Sequence, residues 1–405
     1  MHAAPALKPV WRQIPAGIWV LGFVSLLMDV SSEMIHALLP IYLVTVLGAS
    51  ALVVGIIEGL AEAIALITKV FSGVLSDWLG KRKLLATLGY GLAALTKPIF
   101  PLAPTVGWVV AARFIDRVGK GIRGAPRDAL VADLSPTHLR GASFGLRQSL
   151  DTMGAFLGPL LAIGLMLLTA NNYAFVFWLA VVPAFLSFLL ILFAVREGSR
   201  PMGLRRVKNP VSSAELRLLG SAYWKVVGLA SLCTLARFSE AFLLLKAQSI
   251  GLTAALVPAV LVMMNAVYAL AAYPAGVLSD RMDRSAVLII GLLLLVAADL
   301  VLAIAQSIAA LALGIIAWGL HMGLTQGLLA TLVADTAPVE LRATAFGVFN
   351  LGGGIAILAA SVIAGTLWDW VGPGGTFLAG AAFSMLALVN LLLIRDRLPK
   401  NSRRP

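Results

Sequence analysis

Twelve apolar runs, separated by short polar breaks, occupy almost all of this 405-residue chain. They cover residues 16–47, 51–75, 84–102, 106–134, 142–168, 173–195, 223–249, 254–279, 286–306, 308–335, 343–367 and 376–394. A helix needs about 20 mostly apolar residues to cross a bilayer. Hydrocarbon offers the backbone no hydrogen-bond partner, so runs of this length predict membrane-crossing helices. With only 12% charged residues the chain lacks the solvated surface of a soluble domain, which carries roughly 25%. That excludes a soluble enzyme and a disordered chain. The single cysteine, Cys233, lies inside an apolar run and excludes a disulfide scaffold. The first run is too long for a cleaved signal peptide and holds Asp29 and Glu33.

The formal net charge of +12 would suggest nucleic-acid binding in a soluble protein. Position gives another meaning. Outside the runs, Lys and Arg fall in the termini and in alternate breaks, and the intervening breaks, such as 48–50 and 169–172, hold none. This is the positive-inside pattern, with both termini cytoplasmic and no nucleic-acid partner. The expected location is the plasma membrane, the inner membrane in a Gram-negative source. The longest break, 196–222, carries Arg196, Arg200, Arg205, Arg206, Lys208 and Arg217 and leaves six runs on either side. It predicts an N-terminal six-helix bundle over 1–195, a cytoplasmic linker over 196–222, and a C-terminal bundle with a short tail over 223–405.

The two sets of six runs are similar to each other. Gly73-Val74-Leu75-Ser76-Asp77 recurs letter for letter as Gly276-Val277-Leu278-Ser279-Asp280, 203 positions on. At an offset of 202, Leu130-Val131-Ala132-Asp133 recurs as Leu332-Val333-Ala334-Asp335, Leu139-Arg140 as Leu341-Arg342, and Phe144-Gly145 as Phe346-Gly347. Matches at an offset of half the chain argue for two homologous halves. Parallel repeats of this kind place a substrate site at their interface, near the bilayer midplane.

Over nearly its whole length the chain resembles the twelve-helix transporters of the major facilitator superfamily. The most specific likeness is the loop after the second run, where Gly73, Asp77, Gly80, Lys81, Arg82 and Lys83 match the family's G-x-x-x-D-x-x-G-[RK]-[RK] pattern. The second copy keeps Gly276, Asp280, Arg281 and Arg284, with Asp283 at the loop glycine. The resemblance implies a gating loop whose aspartate meets a helix N-terminus in one domain arrangement only. The fourth run, from Arg113 to Gly119, is similar to the family's R-x-x-Q-G-x-G, with Asp116 at the Gln and Arg117 at the first Gly. Gly145, Gly154, Gly158 and Pro159 match the first part of the exporter-associated glycine pattern, whose closing glycines are Ala162 and Ile163 here. Gly154-x-x-x-Gly158 also has the small-residue spacing of a close helix contact. The implied fold is all-α, with two pseudo-symmetric bundles working by alternating access, as a monomer and without cofactor.

Charges inside a membrane are costly and face cavities or partners. Asp29, Glu33 and His36 share one helical face of the first run, as Glu58, Glu62 and Lys69 do in the second. The fourth run adds Arg113, Asp116, Arg117 and Lys120, with Arg123, Arg127 and Asp128 placed for gating nearer the cytoplasm. The second half is quieter, with Arg237 and Glu240 one turn apart, and has Asp299 where the first has Lys97. Asp29, Glu33, His36, Glu58, Glu62, Arg113, Asp116, Arg237 and Glu240 are the expected substrate and proton site. No metal spacing occurs among the scattered histidines. Gly119–Gly124 fits G-x-G-x-x-G and Gly141–Gly145 fits G-x-S-x-G, but both lie in apolar helical context without the strand each motif needs. The expected function is proton-coupled efflux of a small organic molecule, not enzymatic catalysis. Uptake of a small organic anion is the alternative, and a non-transporting receptor a remote one.

Overall fold

A computed structural model describes residues 13–136, 139–195, 216, 218–338 and 341–395. Most of the linker lies outside these, including Arg196, Arg200, Arg205, Arg206, Lys208 and Arg217. So do the side chains of Asp77, Asp280 and Arg281 and the surroundings of Gly276, although their backbone is helical.

Every run becomes helical. The first is broken into α1a (Ala16–His36) and α1b (Leu39–Thr45). α2 spans Ala51–Leu79, and α3 is split into α3a (Arg82–Thr96) and α3b (Ile99–Leu102). The first half closes with α4 (Val106–Leu134), α5 (Arg140–Leu168) and α6 (Tyr173–Ala194). The second opens with another broken helix, α7a (Ser221–Ala236) and α7b (Ala241–Ser249). It continues with α8 (Ala259–Arg281), α9 (Arg284–Ile304), α10 (Ile308–Thr336), α11 (Arg342–Val371) and α12 (Pro373–Ile394). Among the described residues, nine of these spans are long and apolar enough to cross a bilayer by themselves. Those falling short are α3, whose apolar stretch is interrupted by Lys97 and Pro98, α4, which is rich in charge, and α8, whose apolar stretch is short.

Local chemistry sets the boundaries. The Ser50 hydroxyl accepts from Val53 N–H at the start of α2, Asn172 caps α6 through Phe175 N–H, and Ser307 caps α10 through Ala310 N–H. α2 stops at Gly80, whose φ of +66° is the left-handed conformation glycine adopts without a Cβ clash. The first run breaks at Ala37–Leu38, and Pro40 falls in the first turn of the new helix, where its missing N–H costs nothing. Pro98 likewise follows the end of α3a. The break in α7 has no proline. Arg237–Glu240 simply leaves the helix, at positions that the 202-residue offset matches to the break in α1.

The buried side chains form three cores. One unites both halves at the end that carries the short uncharged breaks. It draws on α1b and the start of α2 from the first half, and on Phe238, α7b and the outer part of α11 from the second. At the basic end there are two separate cores. One lies in the first half around Ile18, Tyr90 and Ile191, and the other in the second half around Tyr223, Leu292 and Leu332. The halves thus share a core at one end and have separate cores at the other, while α2 and α11 stay in contact from Leu52 and Gly365 as far as Val70 and Gly347. Phe71, Leu88, Leu167, Leu270, Ile304 and Leu393 are exposed on the outer faces, as lipid contact requires.

Candidate functional site

A cavity of about 440 Å³ lies between the halves, within the usual range of small-ligand sites. Its first-half wall is ionic. Glu33 and His36 come from α1a, Glu58 and Glu62 from α2, and Arg117 and Lys120 from α4. The second-half wall is mixed: Thr234, Arg237, Phe238, Ser239 and Glu240 at the α7 break, Asn265 of α8, and Phe349, Asn350, Gly353 and Ile357 of α11. The break in α7 places a non-helical stretch in the cavity wall, and irregular backbone at membrane depth is tolerated where it lines a cavity or is buried in protein.

The first-half charges are wired together. His36 bridges Glu33 at 3.2 Å and Glu58 at 3.4 Å. Glu58, 1% exposed, accepts from Arg113 at 2.7 Å. Glu62 pairs with Arg117 at 3.0 Å, and Arg117 lies 3.9 Å from Asp116. Asp116 is paired with Lys97 at 2.9 Å, and Lys97 donates to Ser32 at 3.1 Å, returning the network to α1a. Four carboxylates thus face Arg113, Arg117 and Lys97, and the set balances when His36 holds a second proton. In contrast, Lys120, Arg237 and Glu240 make no ion pair among the described residues. Charge is therefore available to a ligand on these three groups.

Not every expected site residue reaches the cavity. Arg113 and Asp116 stand behind the wall, each 2% exposed, and hold the residues that line it. Asp29 lies a turn further toward the basic end and is not part of the lining. Asn265, Thr234, Ser239, Phe349 and Asn350 are lining residues that were not singled out as site residues. A polar residue in an apolar run marks all of them except Phe349, but not which face it occupies.

The glycines of α5 divide. A Cβ at Gly154 would lie 2.8 Å from Leu26 O, and one at Gly158 would lie 2.6 Å from the Glu33 Cβ, so both set the approach of α5 to α1a beside the site. Gly145 has nothing within 4 Å. Pro159 sits inside α5.

At the basic end of the first half, Arg127 and Arg147 both reach Asp128 and Asp151, and Arg127 also donates to Ser25. Arg123 stacks on Tyr90 at 4.9 Å. Where α2 gives way to α3a, Arg82 pairs with Asp133 at 2.7 Å and Lys81 is exposed, while Gly73, still within α2, faces Ala125. The second half repeats the first of these pairs as Arg284–Asp335. Each pair stays within its own half. Among the described residues, the side-chain hydrogen bonds that cross between halves are at the other end. The Asp369 carboxylate on α11 accepts from the N–H groups of Ala51 and Leu52 at the start of α2, both at 3.0 Å. The signal for it was the position of Asp369 in the otherwise uncharged break 368–375.

Comparison with known proteins agrees with this architecture. The profile of the Major Facilitator Superfamily matches residues 21–245 and 227–405, so the chain belongs to that family. It is 34% identical over 396 residues to an uncharacterized MFS-type transporter of Methanocaldococcus jannaschii, covering 95% of this chain and 96% of that one. It is 30% identical over 397 residues to an uncharacterized protein of Mycobacterium tuberculosis, covering 96% and 94%. Among solved structures, a POT family transporter bound to a thioalcohol-conjugated peptide superposes with a TM-score of 0.78 at 14% identity, covering 95% of this chain and 96% of that one. The protein is a multi-pass membrane transporter of this superfamily, with a small-molecule cavity between its halves.

Proposed function

We propose that this transporter is secondary active and carries a small polar organic molecule by alternating access, with protons as the coupling ion and efflux as its direction. The observation that carries the reading is the cavity between the halves, sealed at one end by a shared core and flanked at the other by two separate ones. With both termini cytoplasmic in the plasma membrane, as the basic loops suggest, this is an inward-open state of a monomer. Proton coupling draws support from the network of Glu33, His36, Glu58 and Glu62, whose balance turns on one proton. The efflux direction rests on the partial glycine pattern of α5.

A second reading, uptake of a small organic anion, is favoured by Arg237 and Lys120, two lining cations without an ion pair among the described residues. A thermal-shift screen of the purified protein against organic anions, cations and zwitterions selects the solute. Liposomes loaded with that solute under an imposed pH gradient then test transport. Movement of solute with proton counterflow supports antiport, and movement with proton co-flow supports the second reading. No movement in either direction overturns both. Glu33→Gln should abolish gradient-driven accumulation while leaving solute exchange, and retained accumulation would remove the proton role of this network.

A further inference from the structure

The repeat makes one pair of positions stand out. In the first half, Lys97 and Asp116 are buried together as an ion pair at 2.9 Å. The same positions in the second half, 202 residues on, hold Asp299 and Trp318. Both are completely buried, at 0% exposure. Neither oxygen of Asp299 has a hydrogen-bond partner among the described residues, and neither does Trp318 Nε1. The repeat has replaced the cation and left the position ionisable.

The surroundings of Asp299 are apolar. Leu295, Ala298 and Leu302 flank it on α9. A Cβ at Gly380 of α12 would lie 2.7 Å from Asp299 Oδ2 and 2.9 Å from Phe238 Cε1, so the carboxyl and the Phe238 ring converge on that glycine. Phe238 also lines the cavity. Charged groups on the packed elements are few. α12 has none between Pro373 and Ile394. α10 brings His321, which bonds Gly291 O about 12 Å along α9 from Asp299. α7 brings Lys246 and the cavity residues Arg237 and Glu240, none of which forms an ion pair with Asp299. α8 offers Asp280 and Arg281 only at its basic end. An ionised carboxylate here would have neither solvent nor counter-ion, whereas a protonated carboxyl needs neither.

We infer that Asp299 is a proton-binding site of the second half, neutral while the shared core is closed and opened to proton exchange when that core parts. Phe238, Trp318 and Phe377, which enclose it, all belong to the second half and join the core shared with the first through Phe242, whose ring meets Gly55 of α2, so parting of the halves reaches Asp299 by way of Phe242 and Phe238. Phe238 stands between the carboxyl and the cavity in this state. The proton therefore changes sides with the conformation, at a place distinct from the Glu33–His36–Glu58 network. Its use in coupling rests on the transporter reading; the protonation itself does not.

Two measurements on full-length protein in lipid nanodiscs, without added solute, test this. Infrared spectroscopy of the wild type should show the carbonyl stretch of a protonated carboxylic acid in apolar surroundings, and Asp299→Asn should lose it. Absence of the band from the wild type, or its persistence in the variant, overturns the site. Because the wild-type spectrum needs no substitution, a variant that fails to fold does not shield the proposal. Spin labels at Leu84 and Met282, on a Cys233→Ala background, then report separation of the halves at the basic end. The wild-type distances should change with pH, and Asp299→Asn should abolish the change or move its midpoint by about one unit or more, a tenfold change in proton concentration. A response intact in Asp299→Asn but lost in His36→Gln assigns proton sensing to the first half and overturns the role given to Asp299. A flat solute assay in liposomes would sink the transporter reading and leave the infrared result standing.

Discussion

Glu58 shows what a membrane interior demands of a carboxylate. It is nearly inaccessible, yet Arg113 and His36 both reach it. Removing one partner of such a buried pair leaves the other uncompensated and costs about 3–5 kcal/mol. Arg113→Ala should therefore lower the unfolding temperature strongly in detergent, and adding Glu58→Gln should recover part of the loss. Glu62 is a different case. Its side chain is 38% exposed to the cavity while its partner Arg117 is 2% exposed and keeps Asp116 at 3.9 Å, so Glu62→Gln should cost less than Arg113→Ala without being free. Thermal melts of the three variants separate the two situations. Single residues were readable in sequence as far as helical spacing allowed: Glu33 with His36 and Glu58 with Glu62 share faces because 3.6 residues make a turn. Their partners on other helices were not readable, since Lys97 and Asp116 meet through packing that no local pattern encodes.

At the scale of the helix, apolar runs located the elements well because the bilayer fixes both their length and their polarity. The breaks inside α1, α3 and α7 were harder. Two of them follow local chemistry at Pro40 and Pro98, although the first break falls three residues earlier than the proline. The break at Arg237–Glu240 lies in a run with no helix breaker and belongs to the fold position shared with α1. The glycines of α5 give a sharp contrast at this scale. Gly158→Val would press a branched side chain onto the Glu33 Cβ and Val30 O, and should separate α5 from α1a and destabilise the protein. Gly145→Ala meets nothing and should gain up to about 1 kcal/mol from helix propensity. Melting the two variants side by side tests the division. Equal losses would mean that both glycines are packed.

Across the whole molecule, the halves are held at the closed end by packed helices and by one charged cap. α2 and α11 meet through glycines there: a Cβ at Gly55 would lie 2.2 Å from Ser361 O, and one at Gly365 would lie 2.6 Å from Leu52 Cα. Asp369 adds its two bonds to the start of α2. Losing a cap of this kind costs about 1 kcal/mol, roughly a fivefold change in a two-state population. Asp369→Ala should move spin-label distances across the closed end toward separation by that proportion. Gly55→Leu should prevent closure there altogether. An unchanged distribution in both variants would show that the closed end is held elsewhere. The pseudo-symmetry needed for this picture was legible in the repeat. The state was not, because a sequence common to two arrangements does not say which is adopted.

The aromatic rings that the second half brings to the closed end bear on the manner of opening, because Phe242 carries their packing across to Gly55 of α2. Phe238 contacts Phe242, Trp318 and Phe377, and Trp368 joins Phe242 and Phe377, with centroids 5.4–6.5 Å apart. A close-packed cluster of this kind has two discrete arrangements and few intermediates. Backbone amides of α1b and α7b should accordingly exchange with deuterium in a single correlated burst, as one body that is either sealed or wet.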